Sequence, residues 1–143
     1  MEAAVAQFGV MPRSRKPSKL RAQNLSALVV DDVEDVAEMI ALFLKHAGFD
    51  VALAHSADEA LLLAGARRFD VVVSDIGMPH KNGYELAEAL RKLANYTAVP
   101  MIAVTGYAEY DDRDRALRSG FNGHLNKPID PDALLRLIAQ LRK

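Results

Sequence analysis

Five polar residues, each following a short apolar run, are the strongest candidates for chemistry. They are three carboxylates, a hydroxyl and an ammonium: Asp31, Asp32, Asp75, Thr105 and Lys127. Singly, each has an ordinary explanation, because Asp is a preferred helix N-cap, Thr is common in turns, and a Lys before a proline can be a plain surface charge. Together, three carboxylates at one place would repel one another unless a cation lay among them.

A divalent cation with oxygen ligands would satisfy such a cluster. Mg²⁺ typically takes one or two protein carboxylates and leaves its other positions to water and phosphate oxygens. A carboxylate beside it can attack phosphorus and form an aspartyl phosphate, if the metal and a lysine absorb the charge of the phosphoryl oxygens. Asp75 is the predicted nucleophile, because the following "IGMPHKNG" delays the next helix: the residue before Pro79 disfavours the α conformation. Gly77 could approach the site closely and offer its carbonyl to the metal.

The elements around these residues alternate between apolar strands and amphipathic helices. Strands are predicted at 25–30, 50–54, 69–75, 99–105 and 121–126, and helices at 36–47, 56–66, 83–93, 108–119 and 132–141. Gly48 is the predicted stop of the first helix, and Ser56 the predicted N-cap of the second, with Glu59 three residues on. Because the strands are apolar nearly throughout, we expect a parallel sheet covered on both faces, with a ligand site at its carboxyl edge.

The motifs at these strand ends resemble those of response-regulator receiver domains. "VVDD", "SDIGMPHKNG", "AVTG" and "NKP" occur in that order within residues 25–143. The resemblance implies an α/β, flavodoxin-like (βα)5 doubly wound parallel sheet with strand order 2-1-3-4-5. It also implies that Asp75 is the phosphoacceptor, that Asp32, Asp75 and the Gly77 carbonyl bind Mg²⁺ directly, and that Asp31 binds it through a water.

The resemblance also assigns roles on the last two strands. Thr105 would bind the phosphoryl group and switch rotamer, and Lys127 would pair with that group. His124 stands where the family usually has Tyr or Phe, and it is either a titratable switch residue or a solvated edge histidine. Gly77 and Tyr107 occupy the second positions after Asp75 and Thr105, where side chains can position or exclude the water that attacks an acyl phosphate.

The implied function is a phosphoacceptor switch of a two-component or phosphorelay system, not an enzyme in its own right. Its expected partners are a histidine kinase or histidine phosphotransfer protein upstream, and a downstream protein on the face of the fourth helix, fifth strand and fifth helix. A stand-alone regulator and a receiver of a hybrid kinase both stay open, and no output domain is expected after the last helix. An Asp-dependent phosphohydrolase would want a second acid at Gly77, and a flavin carrier a phosphate loop in place of "DDVED"; both are disfavoured.

Composition limits the remaining possibilities. The chain has 143 residues, half of them apolar, with no cysteine and a net charge of −1, which suits one domain without disulfides or thiolate metal sites. Residues 1–24 carry five basic residues and one acid, and they are predicted to be a flexible basic extension before a receiver domain at 25–143. No apolar run approaches the roughly 20 residues of a membrane span. A cytoplasmic protein without membrane or direct nucleic-acid binding is expected.

Overall fold

The computed structural model describes residues 25–106 and 113–142. Its strands are β1 Ser26–Val30, β2 Asp50–Ala54, β3 Val71–Asp75, β4 Met101–Thr105 and β5 Gly123–Asn126. Its α-helices are α1 Glu34–His46, α2 Ala57–Ala66, α3 Gly83–Arg91, α4 Arg113–Ser119 and α5 Pro131–Leu141, with a short 3₁₀ turn at Ala94–Tyr96. The predicted extension at 1–24, the start of the predicted helix at 108–119 and Tyr107 lie outside the described residues.

The strands form one parallel sheet in the order β2-β1-β3-β4-β5. This is the 2-1-3-4-5 order implied by the sequence, and the predicted fold class is confirmed. The strand order reverses between β1 and β3, whose carboxyl ends therefore flank the crevice where ligands bind in open α/β sheets. In register, Val30 pairs with Ser74, and Asp75 pairs with Val104. The residues that follow these strands consequently meet at one edge.

The three central strands are buried along their whole length, whereas the edge strands β2 and β5 are partly exposed. Alternate residues of the central strands face two separate cores. Val29, Val73 and Val104 pack with α1 and α5, and Leu28, Val72 and Ala103 pack with α2, α3 and α4. The sheet is thus covered on both faces, which holds the ends of its central strands in place.

Helix boundaries follow from local capping. Ser56 accepts a hydrogen bond from the backbone N–H of Glu59, as predicted, and the Glu59 carboxylate accepts one from the backbone N–H of His55. Asn82 and Glu85 form a capping box at the start of α3. This helix ends at Arg91 rather than at the predicted residue 93, because the chain tightens into the 3₁₀ turn.

A clamp formed by Arg91 ties the end of α3 to the segment after α4. Its guanidinium donates to the carbonyl of Gly120 at 2.6 and 3.1 Å, to the carbonyls of Tyr96 and Val99 at 2.7 and 2.8 Å, and to Asn122 Oδ1 at 2.8 Å. These five charge-assisted hydrogen bonds fix the segment just after the C-terminal end of α4 to α3 and to the turn that follows α3.

No helix in the described ranges is both long and apolar enough to cross a bilayer.

Candidate functional site

Three carboxylates meet at the carboxyl edge of the sheet. Each of Asp31, Asp32 and Asp75 offers an oxygen, and these oxygens all lie within 4.8 Å of one another. Asp31 and Asp75 are buried, with 1% and 7% of their surface exposed, whereas Asp32 is exposed. Unit negative charges this close repel strongly where water is excluded, so the cluster requires positive charge.

Lys127, which directly follows β5, supplies part of that charge. Its Nζ lies 3.0 Å from Asp31 Oδ2 and 3.4 Å from Asp75 Oδ1. Burial alone would lower the pKa of the Lys127 ammonium, but its contacts with Asp31 and Asp75 outweigh burial and raise that pKa. The ammonium is therefore held charged between the two buried carboxylates.

Asp75 is perturbed in the opposite sense from an ordinary ion-paired acid. Burial raises the pKa of its carboxyl, and the neighbouring charge of Asp31 raises it further, while Lys127 counteracts both without cancelling them. One ammonium is insufficient for this cluster. A second cation beside Asp75 would therefore stabilise the cluster.

The remaining acid contacts fit a divalent cation. Oδ2 of Asp31 is buried, and within 25–106 and 113–142 its polar neighbour is the Lys127 ammonium at 3.0 Å. Hard oxygen donors of this kind suit Mg²⁺. The side chains present that would hold the ion are Asp31, Asp32 and Asp75.

The acids are positioned by the turn between β1 and α1. Asp31 Oδ1 accepts a hydrogen bond from the backbone N–H of Val33 at 2.9 Å. Val33 is the N-cap residue of α1, and no side chain caps this helix. The ordinary explanation of Asp32 as an N-cap is therefore wrong, and its carboxylate projects toward solvent at the site.

The turn between β3 and α3 places Asp75. Gly83 donates its backbone N–H to the carbonyl of Ile76 at 2.8 Å, which folds the chain back against the end of the strand. A Cβ at Gly83 would collide with the carbonyl oxygen of Asp75 and lie 2.8 Å from Ile76 Cα. Gly77, by contrast, is exposed and would have open space around a Cβ. The turn is thus closely packed where Gly83 meets Asp75 and Ile76, and it leaves space for a side chain at Gly77.

A cavity of about 490 Å³ lies over the cluster. Thr105, buried at the end of β4, lies on its wall, and the backbone N–H of Lys127 donates to the Thr105 carbonyl at 2.8 Å. The structure therefore brings together all the residues that the sequence proposed for the site itself. The cavity is lined by Asp32, Val33, Asp75, Ile76, Gly77, Thr105, Gly106 and Lys127.

His124 lies apart from this cavity, on β5. It pairs with Ala103 of β4, is half-buried, and lines a separate cavity of about 270 Å³ together with Leu117 of α4 and Phe121. It is therefore not a fully solvated edge histidine. Its role in switching stays a prediction.

Two residues at this edge were not singled out from the sequence. His55, which directly follows β2, contacts the backbone carbonyl of Asp31 through Nδ1 at 3.2 Å. Its position at a strand end is the same signal that identified Asp31. Gly83 had no such signal, because its close approach to Asp75 depends on the turn geometry.

A family model described as the response regulator receiver domain matches residues 27–139. The chain belongs to this family. The family prediction is confirmed, and this receiver domain is a component of two-component signalling, in which such domains pair with histidine kinases or phosphotransfer proteins. The alternative of a phosphohydrolase is not favoured.

Curated relatives of this receiver domain vary in length. An uncharacterised 14.6 kDa protein of Leptolyngbya boryana is 42% identical over 116 residues, which are 81% of this chain and 88% of that protein. Response regulator Rre1 of Synechocystis is 35% identical over 121 residues, which are 84% of this chain and 52% of that protein. The chain thus spans most of the first relative and about half of the second.

Solved structures agree on the fold. Chemotaxis protein CheY4 of Vibrio cholerae superposes with a TM-score of 0.78 at 32% identity, over 82% of this chain and 98% of that one. The receiver domain of sensor histidine kinase PA1611 of Pseudomonas aeruginosa has a TM-score of 0.76 at 28% identity, over 83% and 98% of the two chains. That structure has a magnesium ion coordinated in its active site cleft.

Proposed function

We propose that this receiver domain accepts a phosphoryl group from a phosphohistidine onto Asp75, with Mg²⁺, and signals by protein contact. The observation that carries the proposal is the electrostatic imbalance of the cluster: three carboxylates offer oxygens within 4.8 Å of one another, and in the part of the chain that the structure describes Lys127 is the one cation that pairs with two of them. A bound Mg²⁺ would relieve this imbalance, because its charge would neutralise the carboxylates and also the phosphoryl oxygens that the transfer adds to Asp75.

The side chains divide the work. The buried carboxylate of Asp75 is the nucleophile: one of its oxygens forms the bond to phosphorus as the bond from phosphorus to the donor's histidine nitrogen breaks. Lys127, 3.4 Å from Asp75 Oδ1, would move its ammonium onto the incoming phosphoryl oxygens. Thr105, on the wall of the same cavity, would donate a hydrogen bond from its hydroxyl to the phosphoryl group.

Asp31 and Asp32 would hold the cation together with Asp75 and the carbonyl of Gly77. The buried Asp31, whose Oδ1 is engaged by Val33, would offer Oδ2, which contacts the Lys127 ammonium at 3.0 Å, to the cation or to its water. The exposed Asp32 leaves its side of the cavity open to a phosphodonor. The domain would therefore bind and position the phosphodonor for phosphorylation of Asp75. Position 77 is a glycine, so no second acid stands there to activate water for rapid hydrolysis of the acyl phosphate.

The output surface follows from the position of Thr105. β4 ends at Thr105 beside the site, and its neighbour β5 carries His124 next to α4. Movement of the Thr105 side chain would change the space around His124 and Leu117. We therefore assign the contact with a downstream protein to the face formed by α4, β5 and α5.

The test uses the full chain with acetyl phosphate and Mg²⁺. Up to one phosphoryl group per chain should appear in the intact mass and disappear with hydroxylamine, which cleaves acyl phosphates. Asp75→Asn and addition of EDTA should each abolish the label. Asp50→Asn is the matched control, because Asp50 pairs with Arg67 at the opposite edge of the sheet. Labelling that persists in Asp75→Asn, or that ignores EDTA, would overturn the assignment.

A further inference from the structure

The exposed carboxylate of Asp32 is not held in place by contacts with other side chains in the part of the chain that the structure describes. Within the described ranges no hydrogen bond or ion pair holds it, unlike Asp31 and Asp75, which contact Lys127. A metal ligand that nothing orients must be placed by its backbone. The geometry of the Asp31–Asp32 peptide therefore decides where this carboxylate points.

Three hydrogen bonds hold the backbone around that peptide. The backbone N–H of Asp31 donates to the Ala54 carbonyl at 3.1 Å, and Asp31 Oδ1 accepts from the Val33 N–H at 2.9 Å. The third is the contact of 3.2 Å between His55 Nδ1 and the Asp31 carbonyl. Only this third bond comes from a side chain outside the turn. It acts on the carbonyl that belongs to the Asp31–Asp32 peptide itself.

The chemistry of this contact assigns a proton. A carbonyl oxygen can only accept, so the His55 nitrogen that faces it must carry hydrogen, and in the neutral ring this selects the Nδ1–H tautomer. The backbone of His55 is itself anchored: its N–H donates to Glu59 Oε1 at 2.8 Å, and Ser56 caps the helix that follows. The start of α2 is thus linked through His55 to the peptide between two acids.

We propose that His55 is a positioning residue of the divalent-cation site, acting by donation from Nδ1 to the Asp31 carbonyl. This inference rests on the proposed function and extends it to a residue that directly follows β2, a strand that contributes no ligand. Groups that orient metal ligands from one step away commonly change metal affinity by about 10- to 100-fold when removed. His55 is half-buried and its ring makes one hydrogen bond, so we expect the Mg²⁺ affinity to fall about tenfold.

The experiment compares wild type, His55→Leu and His55→Asn by calorimetric titration with Mg²⁺ alone. Leucine keeps bulk and loses the donor, and the Kd should rise about tenfold. The side-chain N–H of asparagine can occupy the place of Nδ1–H, and the Kd should return to within about twofold of wild type. His46→Leu, at the far end of α1, is the matched control and should leave the Kd unchanged. Thermal unfolding in EDTA checks that every variant is folded.

Long-range ¹⁵N–¹H NMR of the wild type supplies a second measurement, independent of any variant, and should show His55 protonated on Nδ1. A wild-type Kd in His55→Leu, an Asn variant as weak as the Leu variant, or a ring protonated only on Nε2 would each overturn the inference. Mg²⁺ binding and acyl-phosphate formation by wild type would still stand in those cases. Failure of wild type to bind Mg²⁺ would overturn the proposed function together with this inference.

Discussion

Replacing Lys127 with methionine tests whether one ammonium holds the acid cluster together. Methionine keeps most of the apolar stem and removes only the charge. The side chain of Lys127 is 23% exposed, and those of Asp31 and Asp75 are 1% and 8% exposed. The substitution therefore leaves two carboxylates largely shielded from water and without a cation.

The size of the effect can be worked from the distances. At an effective dielectric constant of about 20, unit charges separated by 3.0 and 3.4 Å attract by about 5 kcal/mol each. Carboxylate oxygens within 4.8 Å repel by about 3.5 kcal/mol or more on the same scale. Desolvation of the ammonium offsets much of the attraction, and breaking a buried pair typically costs about 3 to 5 kcal/mol. Because Lys127 is partly exposed, we expect the free energy of unfolding to fall by about 3 kcal/mol.

Two conditions should reduce this loss. Mg²⁺ should raise the unfolding midpoint of Lys127→Met more than that of wild type, because no ammonium competes for the carboxylates. Acid should also reduce it, since the pKa of Asp75 is already raised by burial and by Asp31, and removal of Lys127 raises it further. Protonated Asp75 needs no cation, so the loss should be smaller at about pH 4.5 than at about pH 7.

The assay is urea unfolding in EDTA at both pH values, repeated with Mg²⁺ at the higher one. Lys92→Met is the control, because Lys92 is exposed at the end of α3, and it should change stability by less than about 0.5 kcal/mol. The electrostatic reasoning is wrong if Lys127→Met loses less than about 1 kcal/mol in EDTA, or if its loss is the same at both pH values.

Three further changes have defined outcomes. Gly83→Ala should lower the free energy of unfolding by about 2 to 3 kcal/mol, because the added Cβ meets the backbone of Asp75 and Ile76. Gly65→Ala is the control and should be neutral or stabilising, because a Cβ there has open space in α2. Equal effects of the two substitutions in urea unfolding would contradict this reasoning. Asp75→Asn should raise the unfolding midpoint in EDTA at about pH 7 by about 4 °C, because the raised pKa of Asp75 means that its ionisation costs stability. That advantage is full above the folded pKa and should vanish as pH falls below the unfolded value of 3.8; an advantage that persists there in thermal scans would refute the cause. Deleting residues 1–24, which show no periodic apolar face, should leave the thermal midpoint and phosphorylation nearly unchanged, and a drop of many degrees would show that they contribute to the domain.

The fold was predictable because most of the strands are apolar nearly throughout and alternate along the chain with helical segments. That alternation admits few parallel topologies, and the family motifs select one. The buried face of α1 is predicted less well: the helical period places Val36, Ile40, Phe43, Leu44 and Ala47 on one apolar face. Val36 and Phe43 are only partly buried, whereas Ala37 and Ala41 are buried, since alanine gives a weak apolar signal in a sequence but fits closely against a sheet.

The gathering of the acids was predictable from one rule, that the carboxyl ends of parallel strands share an edge. What escaped the sequence are contacts that depend on the relative placement of two turns. His55 and Asp31 are 24 residues apart, and Gly83 meets Asp75 only because the chain folds back on Ile76. Neither distance can be obtained from a pattern of residue types.

The Arg91 clamp fixes the C-terminal end of α4 and leaves its N-terminal end less constrained among the contacts described. Its guanidinium holds the Gly120 carbonyl just beyond the end of the helix, so a tilt of α4 pivots there and moves Arg113 the most. Seven helical residues span about 10 Å, so a tilt of about 10° carries the far end by about 2 Å and leaves Ser119 almost in place. A partner that contacts α4 near Arg113 would therefore sense a large displacement, and one near Ser119 almost none. The size of the displacement that a partner detects would therefore depend on where along α4 it binds.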